Sequence, residues 1–214
     1  MTDVWSERAE AFRTSATHRE GPDLDLVVEW CEPGEGVQAL DVATGGGHVA
    51  RRLREAGCEV VSVDPAPGMR PTVVAPAEHL PFAEGSFDVV ACRIAAHHFD
   101  DVRAALAEMA RVSRDRVVVQ DNVFLGERVE KAEKLRDPTH VRCYSEDEWR
   151  EVFAEAGLVV EAERRFERAV EVEPWLARVE TPAQDAARVR ELLADRITDG
   201  RVALRSIVLK GRKR

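Results

Sequence analysis

The residues best able to do chemistry fall in three short stretches. Asp41 sits in an apolar run, and Thr44-Gly45-Gly46-Gly47 follow before a helical pattern begins. Glycines there remove side chains where a backbone must turn sharply or approach a ligand. The start of the following helix offers unpaired N–H groups to an electronegative ligand. Asp64 ends the next apolar run, where a carboxylate can accept bonds from ribose hydroxyls. His97 and His98 stand side by side after the run Phe87 to Cys92, with Arg93 just ahead of them. Imidazole titrates near neutrality and can take a proton. Each stretch also has a plain structural reading: turn glycines, a turn acid before Pro65, strand-end histidines, and an arginine paired with a surface acid.

The elements that must position these residues alternate in type. A short helix is expected near Ser6 to Phe12 and another over Asp23 to Trp30, with Leu24, Val27 and Val28 on one side. Val37 to Val42 reads as the first strong strand. Val49, Leu53 and Ala56 stripe the next helix, and Gly57 suits its end. Cys58 to Asp64 is the second strand. Pro65-Ala66-Pro67-Gly68-Met69-Arg70-Pro71 cannot hold a long helix. Only a turn therefore joins strand two to a very short strand within Thr72 to Ala75, where a parallel crossover normally carries a helix. Phe87 to Cys92 and Arg116 to Gln120 are further strands around a helix over Asp101 to Ser113. Glu127 to Arg136 is amphipathic. Ser145-Glu146-Asp147-Glu148 is a capping box opening a helix with Trp149, Val152 and Phe153. Leu158 to Phe166 begins another strand. Thr181-Pro182 opens a helix running to about Asp199, with proline at its first position. Val202 to Leu209 is the last strand, and Lys210 to Arg214 a solvated basic tail. The pattern is α/β, a doubly wound, mostly parallel sheet with an antiparallel edge strand. Residues 1–214 make a single domain, with a helical cap over 1–36 and substrate-side insertions within 123–198.

Composition narrows the function classes. The chain has 31 Lys and Arg against 40 Asp and Glu, a net charge of −9. Such a surface steers toward neither nucleic acid nor an anionic membrane. Cys31, Cys58, Cys92 and Cys143 form no CxxC pair, so neither a zinc nor a redox motif is expected. No apolar run approaches a membrane span and no leader pattern precedes the first helix, which points to a reduced, cytoplasmic protein.

In open α/β sheets, ligands bind beyond the carboxyl ends of the strands. Asp41 to Gly47, Asp64, Ala77-Glu78 and Arg93 to His98 all fall there. On these residues alone a dinucleotide remains an open alternative. Taken together, the motifs resemble a class I S-adenosylmethionine-dependent methyltransferase. The type is small-molecule, related to the ubiquinone and menaquinone biosynthesis methyltransferases. Leu40-Asp41-Val42-Ala43-Thr44-Gly45-Gly46-Gly47-His48 is similar to the family's first motif. Val61-Ser62-Val63-Asp64-Pro65, Gly68-Met69, Ala77-Glu78-His79-Leu80-Pro81-Phe82 and Gly85 to Val90 continue it, over roughly residues 37–120. A narrower resemblance, to largely uncharacterised methyltransferase-like proteins, extends through Ser15 to His18, Cys92 to Phe99, Gln120-Asp121-Asn122, Val129-Glu130-Lys131, Leu135 to Arg142 and Trp149. The Thr-Gly-Gly-Gly form disfavours a nicotinamide enzyme, whose fingerprint spaces its glycines.

The resemblance implies a Rossmann-like methyltransferase sheet and S-adenosyl-L-methionine as cofactor. It implies that Asp41 orients the glycine turn and the methionine ammonium, that Ala43, Thr44, Gly45 and Gly47 admit the cofactor, and that Asp64 and Pro65 meet the ribose. Ala77 and Glu78 would flank adenine, and Arg93 or His98 would contact the cofactor. His97 and His98 are the candidate catalytic bases. His18, Asn122, His140, Arg142 and Trp175 are expected on the acceptor side. Three departures stand out. Pro76 replaces an acid that commonly bonds the adenine amine, the helix between strands two and three is missing, and Ser113-Arg114-Asp115 replaces a Pro-Gly-Gly. The expected activity is methyl transfer to a small molecule. The rivals are other chemistry on the same cofactor, such as cyclisation, and a non-catalytic scaffold paired, for instance as a homodimer, through the shortened wall.

Overall fold

The computed structural model describes residues 3–213, and for Ala16 and Thr17 the backbone alone. Met1, Thr2 and Arg214, the outer ends of the expected cap and tail, lie outside the described residues.

Three helices precede the first strand. Helix α1 (Val4–Thr14) starts on Asp3, whose carboxylate accepts from the Ser6 amide at 3.1 Å. Helices α2 (Ala16–Arg19) and α3 (Pro22–Trp30) follow, and Leu24, Val27 and Val28 of α3 are buried as their spacing predicts. Strand β1 (Gln38–Val42), helix α4 (His48–Glu55) and strand β2 (Glu59–Asp64) form the first parallel crossover. From β2 the chain makes a single 3₁₀ turn, Pro67–Met69, before the two-residue strand β3 (Val73–Val74). No α-helix separates them, in keeping with the proline count. Strand β4 (Phe87–Arg93), helix α5 (Val102–Val112) and strand β5 (Ser113–Asn122) complete the parallel part.

The second half builds the antiparallel side. Helix α6 (Glu127–Arg136) and helix α7 (Glu146–Glu155) lead to strand β6 (Leu158–Glu171). The capping box is present, with Ser145 and Glu148 bonding each other's backbone amides. Helices α8 (Val172–Ala177) and α9 (Ala183–Leu192), strand β7 (Ile197–Thr198) and strand β8 (Arg201–Lys213) finish the chain. The sheet order is β3-β2-β1-β4-β5-β8-β6, with β7 paired to β8. One face packs against α3 and α4, the other against α5 and α7. A third cluster joins α6, α8 and α9 to the far ends of β6 and β8.

Two sequence expectations are corrected. Lys210 to Lys213 is not a loose tail but the end of β8, between β5 and β6. Its charges are neutralised locally: Lys210 pairs with Glu32, and Arg212 reaches Glu161 at 3.0 Å and Asp115 at 3.3 Å. Gly211 lies so close to α7 that a Cβ would meet the Phe153 ring at 2.6 Å. The helix after Thr181 is shorter than its pattern suggests. Pro182 is its N-cap, the Thr181 hydroxyl donates to the carbonyls of Arg136 and Leu176 instead of capping, and Ile197–Thr198 pairs with β8.

Candidate active site

A cavity of about 250 Å³ opens beyond the carboxyl ends of β1, β2 and β4. The glycine turn forms one wall. Ala43 at φ 52° and Gly45 at φ 50° both take the left-handed region, as does Ile94 at φ 53° just beyond β4. For alanine and β-branched isoleucine this conformation is strained. The strain sits at two of these strand ends, beyond β1 and beyond β4.

Two buried acids hold the turn. Asp41 Oδ2 accepts from Thr44 Oγ1 at 2.5 Å and from the Ala50 amide at 3.0 Å. Both bonds fall on one oxygen, although Asp41 lines the cavity. Burial, against the Thr44 and Ala50 bonds, pushes its carboxyl from an ordinary 3.8 up to about 6. Asp64 accepts from the Gly45 amide at 2.9 Å and the Ala66 amide at 3.0 Å, which ties the two strand ends together. Burial raises its carboxyl as well. Each carboxylate oxygen has a second lone pair, so Asp64 can hold the turn and still accept from a ligand hydroxyl. Glu78 accepts from the Asp100 amide at 3.1 Å and, with Ala77, lines the opposite end beside Pro76.

His98 faces the cavity with a defined tautomer. Its Nδ1 lies 3.0 Å from the Thr139 carbonyl. A carbonyl only accepts, so Nδ1 carries the hydrogen and Nε2 is left with its lone pair. Burial, then the charge on His97, hold His98 well below its usual range, so its Nε2 keeps a free lone pair near pH 7. Trp5 meets its ring edge-on, centroids 4.6 Å apart.

Helix α1 forms the remaining wall. Trp5 and Phe12 line the cavity, and the Phe12 carbonyl lies 3.0 Å from His48 Nε2. Gly46 permits this approach, since a Cβ there would meet the Phe12 oxygen at 2.8 Å. The same helix docks on the proline-rich turn. The Gly68 amide donates to Ser6 Oγ at 2.7 Å, and Arg13 donates to the Gly68 carbonyl at 3.0 Å.

Comparison with known proteins gives the family. The family described as "Methyltransferase domain" matches residues 40–119. An uncharacterised methyltransferase of Bacillus subtilis, YcgJ, is 33% identical over 202 residues, 84% of this chain and 79% of that protein. The chain belongs to the S-adenosylmethionine-dependent methyltransferase family. The crystal structure of YcgJ superposes with a TM-score of 0.82, covering 89% of this chain and 97% of the other at 28% identity. A putative methyltransferase from Bacillus halodurans, also 28% identical, gives 0.79 over 90% and 99%. A demethylmenaquinone methyltransferase from Beutenbergia cavernae is 40% identical over 92 residues, 38% of either chain.

Within this methyltransferase the expected site residues divide. Asp41, Ala43, Thr44, Gly45, Asp64, Pro65, Ala77, Glu78, Arg93, His98 and His18 line the cavity. Gly47 instead N-caps α4 at φ 75°. Arg93 lines the cavity but pairs with no surface acid. Its Nη2 lies 2.7 Å from buried Asp23 and its Nη1 donates to the His18 carbonyl at 3.0 Å. Burial works to raise the Asp23 carboxyl, yet the Arg93 charge leaves it lowered.

The other candidates stand elsewhere, and each is a correction. His97 is buried behind the cavity, its Nδ1 2.6 Å from Asp121 Oδ1 and its amide donating to Asp121 Oδ2 at 2.7 Å. Burial works to lower its pKa, but the Asp121 carboxylate wins and raises it. His97 is therefore one half of a buried pair with Asp121 that holds the turn before His98. Its carbonyl also accepts from the Val141 amide at 2.9 Å. His140 is buried against Glu130, Nε2 to Oε1 at 2.9 Å. Arg142 pairs with Glu148 at 2.5 Å and lies over the Tyr144 ring. Trp175 belongs to the third core cluster under the Arg136 guanidinium. Asn122 borders a separate small void. None of these six, Gly47 included, lines the cavity. Sequence reasoning assigned no cavity role to Trp5, Phe12, Met69, Ile94 or Phe99, all of which line it. The β-branched Ile94 carried no signal of its strained turn.

Proposed function

We propose that this chain transfers a methyl group from S-adenosyl-L-methionine to a small-molecule acceptor held in the same cavity. The observation that supports this most is the meeting of three features in one space: the glycine turn, the two strand-end acids, and the free Nε2 of His98. The residues fit the cofactor. Asp41 is a buried carboxylate without a cationic partner at hydrogen-bonding distance, and both its hydrogen bonds use one oxygen. An ammonium group satisfies that need. Asp64 offers lone pairs to a diol, and Ala77 and Glu78 flank a planar base.

When bound, S-adenosylmethionine supplies an electrophilic methyl carbon and a sulfur that departs with the C–S electron pair. The chain's own work is alignment and exclusion of water. Ile94 and Phe99 beyond β4, and Trp5 and Phe12 from α1, enclose the methyl side. An acceptor oxygen or nitrogen that must lose a proton gives it to His98 Nε2, while Thr139 keeps Nδ1 protonated. His97 and Asp121 position that histidine. His18 lines the acceptor end. Among the described residues, no helix is long and apolar enough to cross a membrane. The acceptor we propose is a small metabolite held in the same cavity. No feature of the site favours cyclisation or a scaffold role over this reading.

Calorimetry tests it directly. S-adenosylmethionine and S-adenosylhomocysteine are expected to bind with micromolar affinity, and NAD not to bind. No heat with either S-adenosyl ligand at millimolar concentration overturns the proposal.

A further inference from the structure

The part of the molecule that the proposed reaction leaves unused lies between α6 and the segment 137–144. Glu130, on α6, has its carboxylate there. His140 and Cys143, three residues apart in the segment, complete the group. One ligand atom from each lies within 4.8 Å of the others. All three are buried, at 9%, 5% and 4% exposure. We propose that Glu130, His140 and Cys143 bind one divalent cation of the zinc class.

The chemistry of the donors selects the ion. A carboxylate oxygen, an imidazole nitrogen and a thiolate sulfur suit borderline-soft Zn²⁺, which takes such mixed sets in tetrahedral geometry. Magnesium and calcium prefer oxygen alone. The carboxylate and thiolate together carry two negative charges, so the ion leaves the site neutral. This matters in a place removed from water.

Space and hydrogen bonding support the assignment independently. A void of about 10 Å³ is lined by Glu130 and Cys143, with Asn122 and Glu133 beside them. That is room for one water-sized atom beside the Glu130 and Cys143 donors. His140 Nδ1 is buried without a hydrogen-bond partner. In the present arrangement the imidazole proton lies between Nε2 and Glu130, 2.9 Å apart. When a cation takes Nε2, the Nε2–Glu130 hydrogen bond is replaced by metal bonds from both groups, and that proton moves to Nδ1, which has no other partner. The thiol proton leaves to solvent.

The consequence reaches the active site. Thr139 adjoins His140, and its carbonyl fixes the tautomer of His98. The Val141 amide donates to the His97 carbonyl. An ion here would pin α6 to the loop that orients the base, as a positioning element outside the reacting atoms.

The test uses the intact chain and needs no turnover. Purified protein stripped with chelator is titrated with cobalt(II), then with zinc(II) and magnesium(II). A near-ultraviolet thiolate-to-cobalt band, tetrahedral visible bands and saturation at one equivalent are expected. Zinc at a hundredfold excess over Kd should raise the thermal midpoint by roughly 5–10 °C, and magnesium should not. Cys143→Ser should abolish the thiolate band and Cys58→Ser should keep it. His140→Ala and Glu130→Gln should weaken zinc by more than the roughly 10–100-fold that losing an outer-shell partner costs. Absence of the thiolate band in the wild-type chain overturns the proposal even if every variant fails to fold. Zinc held equally by Cys143→Ser and His140→Ala overturns it too, because the ion is then elsewhere. Neither result depends on whether S-adenosylmethionine binds.

Discussion

Asp41 sets stability against function, and the size of the conflict follows from its surroundings. Its carboxyl is shifted from 3.8 to about 6, chiefly by burial. The groups facing it do little to offset this. Thr44 and the Ala50 amide donate to it, Asp64 at the end of β2 repels it, and Arg54 on α4 attracts it weakly. The buried thiols of Cys31 on α3 and Cys92 on β4 are held neutral by burial. A raised folded-state pKa means that the native chain holds the proton longer than the unfolded chain does. The stability contribution is therefore full below pH 3.8 and is lost as pH rises through 6. A two-unit shift is worth about 3 kcal/mol. Asp41→Asn removes the ionisation and keeps one oxygen for both Thr44 and Ala50. The ligand-free variant is expected to be more stable than wild type by up to about 3 kcal/mol at pH 8, with the gap closing toward pH 4. Urea unfolding of both proteins at pH 4.5, 6 and 8 measures it, and all other titrations common to the two cancel. S-adenosylhomocysteine binding should weaken by roughly 10–100-fold, the worth of a charge-assisted hydrogen bond. A gap independent of pH would refute the argument, since the cost would then not lie in ionisation. Unchanged ligand affinity would refute the assignment of Asp41 to the ammonium.

Four further outcomes are expected. His98→Gln should lower kcat by roughly 10²–10⁴-fold for an acceptor that must lose a proton, with S-adenosylhomocysteine affinity by calorimetry nearly unchanged. His97→Ala should instead destabilise the fold by about 3 kcal/mol or more in chemical denaturation, because it strands Asp121 as a buried charge. Pro76→Asp should tighten S-adenosylhomocysteine by roughly 5–10-fold, the worth of one hydrogen bond to the adenine amine; decarboxylated or base-modified analogues would show which end gained. Gly68→Ala should push α1 off its turn, since the new Cβ would meet Ser6 Cα at 2.5 Å. A loss of about 1–3 kcal/mol and faster tryptic cleavage at Arg8 and Arg13 are the readouts.

Much of the site was legible because local chemistry specifies it. A strand, an acid and a glycine turn announce themselves in sequence, and so does an acid closing the next strand. The prolines after Asp64 forbade a crossover helix, and none separates β2 from β3. What sequence could not show was direction. His97 and His98 are neighbours with equal chemistry, yet one points to the cavity and the other to Asp121. The choice is made by the strained turn at Ile94 and by Thr139, forty-one residues away. The tail failed for a different reason. Lys210 to Lys213 has the composition of a solvated end, and only the partners on β5, β6 and Glu32 turn it into a strand. Long-range pairing overrides composition when charges find local counterparts and a glycine admits the neighbouring helix. Trp175 and Arg142 mislead in the same way, since a large or charged side chain in a late loop serves a core or a surface as readily as a ligand.

The missing crossover helix and the N-terminal helix are best understood as one adaptation. A parallel edge without its covering helix leaves apolar side chains on β2 and β3 exposed, and Val74 is indeed 55% exposed. The turn Pro67–Met69 is too short to cover them. Helix α1 covers the inner end of that gap, through a small cluster of Trp5, Ala9 and Phe12 against Ala66 and Met69. It does so at the cavity rather than along the sheet. Gly46 and Gly68 are the two points where its backbone comes closest, and neither tolerates a Cβ. The wall is therefore made by a separate segment, held by the Ser6 and Arg13 bonds to Gly68, the Arg8–Asp137 ion pair and the aromatic contact of Trp5 with His98. What a crossover helix would supply at this edge comes instead from the N-terminal helix, beside the residue proposed to take the proton.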